Sequence, residues 1–168
     1  MLPSVWCLRR VLLAGENSGM LHAMRSQLCA LGARPQSASN PVTAESLDRT
    51  LHEGRFSCVI VPDLLQLCSG DAQARFAALD MILQEAREAG VPLVMLLAGQ
   101  SSLHADEIAV LFSHALGCAC GAFGDPVSVQ CIQHANQDPE VVCLRVLRSG
   151  SRFLAGDTSC TGYFSLQG

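Results

Sequence analysis

Apolar positions along this chain alternate between two periods. Val11 to Ala14 is a short continuous apolar run ending at Gly15, the pattern of a strand buried on both faces; Met20, Leu21, Met24, Leu28 and Leu31 then recur at helical spacing until Gly32. The order is strand, glycine turn, helix. "ARPQSAS" follows as a short second strand. In "NPVTAESLDRTLHEG", Thr43 is a candidate cap, Leu47 and Leu51 have helical spacing, and Gly54 is the stop. "RFSCVIVPD" is a third strand.

The strongest helical pattern is "AQARFAALDMILQEAREAG", with Phe76, Leu79, Ile82, Leu83 and Ala86 on one face, and "VPLVMLLAG" is the strongest strand. Beyond Gly99, "SLHADEIAVLFSHALG" has a helical pattern, "GDPVSVQCIQHANQ" is read as a helix begun by Asp125 and Pro126, and "EVVCLRVL" as a strand. The tail over 149–168, rich in Gly, Ser and Thr, is read as irregular. Alternation of strand and helix predicts an α/β fold. The expected architecture is a Rossmann-like doubly wound parallel sheet in three α/β/α layers, one domain over 1–168, with right-handed crossovers.

The totals narrow the function. With 168 residues, 49% hydrophobic, the chain can bury one substantial core. Its net charge is −4, and all 11 basic residues are arginines scattered from Arg9 to Arg152, so a nucleic-acid partner is not expected. Several of the nine cysteines, among them Cys29, Cys58 and Cys143, sit in apolar runs where a thiol packs as a small hydrophobe. Neither a signal-peptide order nor an apolar run of roughly 20 residues occurs, and a cytoplasmic protein with no membrane partner is expected.

A buried strand feeding a glycine turn and a helix aims free N–H groups and the positive helix end at one point, where a phosphate binds. "GENSG" places Gly15 and Gly19 at that turn. The stretch "VLLAGENSGMLHAMRSQLCALGA" resembles the opening of the short-chain dehydrogenase/reductase superfamily, whose loop reads Gly-x-x-x-Gly-x-Gly or Gly-x-x-Gly-x-x-Gly. Leu21 stands at the last glycine of either form and Ser18 at the middle glycine of the second. "FSCVIVPD" and "RFAALDMILQEAREAGVPLVMLL" are similar to the third strand, long fourth helix and fourth strand of the extended, epimerase-like branch, so the likeness spans roughly residues 9–98.

That resemblance implies NAD or NADP as cofactor and a Tyr-x-x-x-Lys pair as catalyst. In "FGDPVSVQCIQHANQDPEVVCLRVLRSG", Phe123 and Val127 stand where the pair belongs. The tyrosine of such a pair moves a proton at the substrate oxygen and the lysine lowers its pKa. This chain has no lysine and one tyrosine, Tyr163. Catalysis by that pair is excluded, and no catalytic residue is expected. "SASN" lacks the acid that would meet a ribose, and Arg34 is noted as a phosphate partner against the plainer reading of a surface arginine.

A second likeness competes. "LHEGRFSCVIVPD", "PLVMLLAG" and "ALGCACGAFGDPVSVQCIQHA" look like the later half of a response-regulator receiver domain, with Asp63 as phospho-acceptor. Only Glu16 offers the paired acids that family needs, and its lysine is missing. The long connection from Asp63 to Pro92 favours the reductase-like topology. Cys118, Cys120 and His114 fall short of a four-ligand metal site, and no metal is expected. Ser101, Ser102 and His104 lack a Gly-x-Ser-x-Gly turn, so a capped, solvated loop is preferred to a hydrolase.

The leading expectation is a non-catalytic or cryptic nucleotide-binding protein, a pseudoenzyme related to NAD-dependent epimerases. Gly15, Asn17, Ser18, Gly19 and Met20 form its phosphate turn, with Asp63 and Gly99 beside it, and its partner is a nucleotide or nucleotide-sugar. The competing expectation is a pseudo-receiver or an interaction module that forms a homodimer through an apolar face without any nucleotide.

Overall fold

The computed structural model describes residues 5–15, 19–38, 43–62, 71–91, 93–99, 127–133, 138–141, 143–144, 147–148 and 162–166. Its strands are β1 (Arg10–Leu13), β2 (Arg34–Ser37), β3 (Cys58–Val61), β4 (Leu93–Gly99), β5 (Val127–Gln133) and β6 (Gly162–Leu166). They form one parallel sheet in the order β2-β1-β3-β4-β5-β6. Three helices, α1 (Gly19–Ala30), α2 (Ala44–Gly54) and α3 (Ala72–Ala89), connect the first four strands. The described residues between 139 and 148 are also helical.

Residues of β1 and β3 point alternately to two separate cores. Leu12, Val59 and Val61 join Leu47 and Leu51 of α2 and Leu79, Ile82, Leu83 and Ala86 of α3 on one face. Val11, Leu13, Cys58 and Ile60 join Met20, Met24 and Leu28 of α1, together with Cys143 and Leu147, on the other. The fold is therefore α/β, Rossmann-like and doubly wound in three layers. Chain direction across the sheet reverses at β1, since β2 lies to one side and β3 to the other. With crossovers of a single hand, that reversal requires α1 and the α2–α3 pair on opposite faces, as found.

Local chemistry sets the helix ends. The Thr43 hydroxyl accepts the Ser46 N–H at 3.2 Å while the Ser46 hydroxyl accepts the Thr43 N–H at 3.3 Å, a reciprocal cap on α2. Asp71 caps α3 by accepting the Ala74 N–H at 2.9 Å. Gly54 is the last helical residue of α2, and Arg55 after it takes the left-handed conformation at φ 51°. Gly54 is needed for room: a Cβ there would lie 2.2 Å from the Phe56 ring, on which the Arg10 guanidinium stacks at 4.8 Å from the centroid.

Three expectations from the C-terminal third are corrected. Residues 127–133, read as part of a helix, form β5, and described residues of "EVVCLRVL", read as a strand, are helical. "VSVQCIQ" alternates Val127, Val129, Cys131 with polar residues at the strand period. The helix begins instead at the second Asp-Pro pair, where the Asp138 carboxylate accepts the Glu140 N–H at 3.0 Å and Pro139 opens the first turn. Its core contacts, Cys143 and Leu147, are four residues apart. Within the tail read as irregular, Gly162–Leu166 pairs with β5 as β6.

Trp6 ties this last helical segment to the N-terminus. Its ring is 2% exposed and its Nε1–H donates to the Leu147 carbonyl at 2.9 Å. No helix among the described residues is long and apolar enough to cross a membrane. Cys58 and Cys143 are thiols of the core, and burial pushes each up to about 12, with the Glu140 and Asp138 charges adding to Cys143. Cys7 and Cys29 are exposed.

Two outcomes follow from this packing. Trp6→Phe leaves the Leu147 carbonyl without its indole donor and lowers unfolding free energy by about 1–3 kcal/mol in urea titrations followed by circular dichroism; an unchanged midpoint would show the bond to be dispensable. Thiol labelling of the native protein at pH 8, mapped by peptide mass spectrometry, modifies Cys7 and Cys29 and spares Cys58 and Cys143 until the protein unfolds. Rapid modification of Cys58 would contradict its place in the core.

Candidate functional site at the switch in strand order

Open α/β sheets bind ligands outside the carboxyl ends of their strands, where the strand order reverses. Here that point lies between β1 and β3. The ladder continues one residue past β1, with the Ala14 N–H donating to the Ile60 carbonyl at 3.0 Å, and the chain then turns at Gly15. Gly15 has φ 139°, a conformation that favours glycine. α1 starts four residues later at Gly19.

Gly19 and Met20 divide this helix start between solvent and core. Gly19 is exposed, and a Cβ there would meet nothing within 4 Å. Met20 and Leu21 are 6% and 5% exposed and belong to the core shared with Trp6, Cys143 and Leu147. The Cys143 thiol lies 3.8 Å from the Met20 carbonyl. Leu21 thus occupies the helix–sheet interface at the position where a third glycine would let helix and strand approach. The first turn of α1 carries no acidic side chain, so its positive end is not neutralised from within the helix.

Of the residues expected at the site, Gly15 and Gly19 flank the turn, Met20 anchors α1 in the core, and Gly99 ends β4 at the same carboxyl edge, two strands from β1. Asn17, Ser18 and Asp63 lie outside the described residues, as do Glu16, Ser101, Ser102, His104, His114, Cys118 and Cys120. Arg34 is exposed, as the surface reading has it, and opens β2 at the amino edge of the sheet, away from the turn.

The arginine brought to the carboxyl edge is Arg25. From the second turn of α1 its guanidinium donates to the Ser37 hydroxyl, at the last residue of β2. Both side chains are exposed. The sequence carried one signal for it, a basic residue six positions past Gly19. Its meaning depends on β2 ending beside α1, which a four-residue strand with one buried neighbour does not announce.

No family model matches the sequence, and no curated protein matches it. The solved structure of BdcA (YjgI) from E. coli is similar, with a TM-score of 0.55 at 15% sequence identity, over 97% of this chain and 100% of that chain. A likeness at that identity shows the fold alone. Identification with the extended, epimerase-like branch of the short-chain dehydrogenases/reductases is therefore corrected. Sheet order adds a physical reason: among the described residues β2 is the edge strand, whereas the dinucleotide-binding order 3-2-1-4-5-6 sets a further strand beyond it.

Proposed function

We propose that the protein binds a nucleotide through its phosphate at the Gly15–Gly19 turn and does not catalyse a reaction there. The observation that carries this reading is the open start of α1: Gly19 is exposed with free space around it, at the end of a buried strand and at the switch in strand order. Backbone N–H groups and the positive helix end supply the attraction, and Arg25, held by Ser37, supplies a full charge on the rim. NAD, NADP and nucleotide-sugars share the required phosphate. Leu21 in the helix–sheet interface favours a ligand that places one phosphate over the turn, because a pyrophosphate lying against the helix needs the close backbone approach that a third glycine allows. Free thiols at the four described cysteines and the missing Tyr-Lys pair support a cytoplasmic nucleotide-binding pseudoenzyme.

The second reading is an interaction module without a nucleotide. The strand order β2-β1-β3-β4-β5 is shared by receiver-like domains and by flavodoxin-like nucleotide binders, and what supports this reading is that Val5, Leu8 and Val141 are exposed apolar side chains that a second copy would cover.

Thermal unfolding with a millimolar nucleoside monophosphate, NAD, NADP, ADP-ribose or nucleoside-diphosphate sugar separates the two. A ligand at 100 times its Kd adds about 2.7 kcal/mol of stability. Gly19→Val leaves the fold intact, since its side chain has space, and abolishes the ligand-dependent shift. A shift that survives in this variant places the ligand elsewhere; no shift with any nucleotide leaves the interaction module.

A further inference from the structure

We propose that the α2–α3 interface is a proton-operated clasp, in which Asp48 and His52 of α2 and Glu85 and Glu88 of α3 close in mild acid and loosen as the pH rises. Asp48, Glu85 and Glu88 bring three carboxylates together, with one oxygen from each lying within 4.8 Å of the others. Glu85 Oε2 is shielded from solvent and has no hydrogen-bond partner. An ionised carboxylate only accepts, so three of them at this spacing repel and leave that buried oxygen without a donor. One proton turns Glu85 into a donor toward a neighbouring carboxylate, which converts repulsion into a hydrogen bond.

His52 adds a second proton-binding group on the same helix face as Asp48. Its Nδ1 lies 3.0 Å from Asp48 Oδ1 and 2.9 Å from the Asp48 carbonyl oxygen, so both contacts strengthen when the ring is protonated. The groups whose charges act on Glu85 are Glu88 on its own helix and Asp48 and His52 from α2. Gln84 contributes a neutral contact, its Nε2–H donating to Glu88 Oε1 at 3.3 Å. Shielding from water, then the Glu88 and Asp48 charges, hold the Glu85 carboxyl above the ordinary carboxylate value, with His52 opposing. The bond to the Asp48 carbonyl, then the Asp48 charge, raise His52 above its ordinary value.

Both folded-state values are raised, which fixes the sign. Each group contributes stability that is present below its unfolded value, 4.5 for Glu85 and 6.5 for His52, and lost as the pH rises through its folded value. The clasp borders the core made by Leu47 and Leu51 of α2 with Leu79, Ile82, Leu83 and Ala86 of α3. Loosening it uncovers one edge of that core while the α1 face stays sealed.

The test is hydrogen exchange of α2 and α3 peptides, with thermal unfolding, on the full chain between pH 4.5 and 8.5, for wild type, Glu85→Gln and Asp48→Asn. Wild-type protection in α2 and α3, corrected for intrinsic exchange, rises as the pH falls, by less than about tenfold because Asp48 and His52 are more than half exposed. Glu85→Gln is the more stable protein at pH 8, and its advantage fades as the pH falls toward 4.5, the ordinary value of the carboxyl. Asp48→Asn reduces the His52 part of the profile by removing the carboxylate charge and leaves the part that the Asp48 backbone carbonyl sets. Parallel profiles for wild type and both variants would overturn the proposal. So would a gain in wild-type stability with millimolar Ca2+ or Mg2+ at pH 8 that Glu85→Gln abolishes, because the carboxylates would then serve a cation.

Discussion

Everything in this fold depends on β1 and β3 being apolar on both faces. Val11, Leu12, Leu13, Cys58, Val59, Ile60 and Val61 are all 0% exposed. A parallel sheet of such strands has no side that can face water, so helices have to cover both. The chain meets this by starting at β1, stepping one way through α1 to β2, then returning past β1 through α2 to β3. That reversal places Gly15, just past the end of β1, between connections that leave the sheet in opposite directions.

The two faces have different characters. On one, α1 is sealed to the sheet by Met20, Leu21, Met24 and Leu28, with Trp6, Cys143 and Leu147 closing the layer; its charged contact, Arg25 with Ser37, is at the carboxyl edge. On the other, α2 and α3 share a conventional apolar seam, and the polar rim of that seam gathers carboxylates and a histidine.

Patterning failed where two signals competed for the same stretch. "GDPVSVQCIQ" contains an Asp-Pro helix start followed by β-branched residues at a strand period, and the strand period won because β4 offers a complete partner for Val127–Gln133. "DPEVVCLRVL" contains valines typical of strands after a working cap, and there the i, i+4 pair Cys143 and Leu147 won because α1 and Trp6 supply an apolar surface for one helix face. Local propensity was similar in both segments, and the available partner decided.

The sequence by itself determined the alternating strand–helix order up to β4, the cap at Thr43 and the end of α2 at Gly54, the buried strands β1 and β3, and the absence of a Tyr-Lys catalytic pair, since periodicity, capping and composition are local properties. Only the tertiary structure decided the rest: that β3 lies against β1, that β6 extends the sheet, that Arg25 reaches Ser37, and that Asp48 meets Glu85. Those contacts join residues far apart in the chain. Their geometry is set by which apolar faces cover one another, a collective choice that no short window of residues contains.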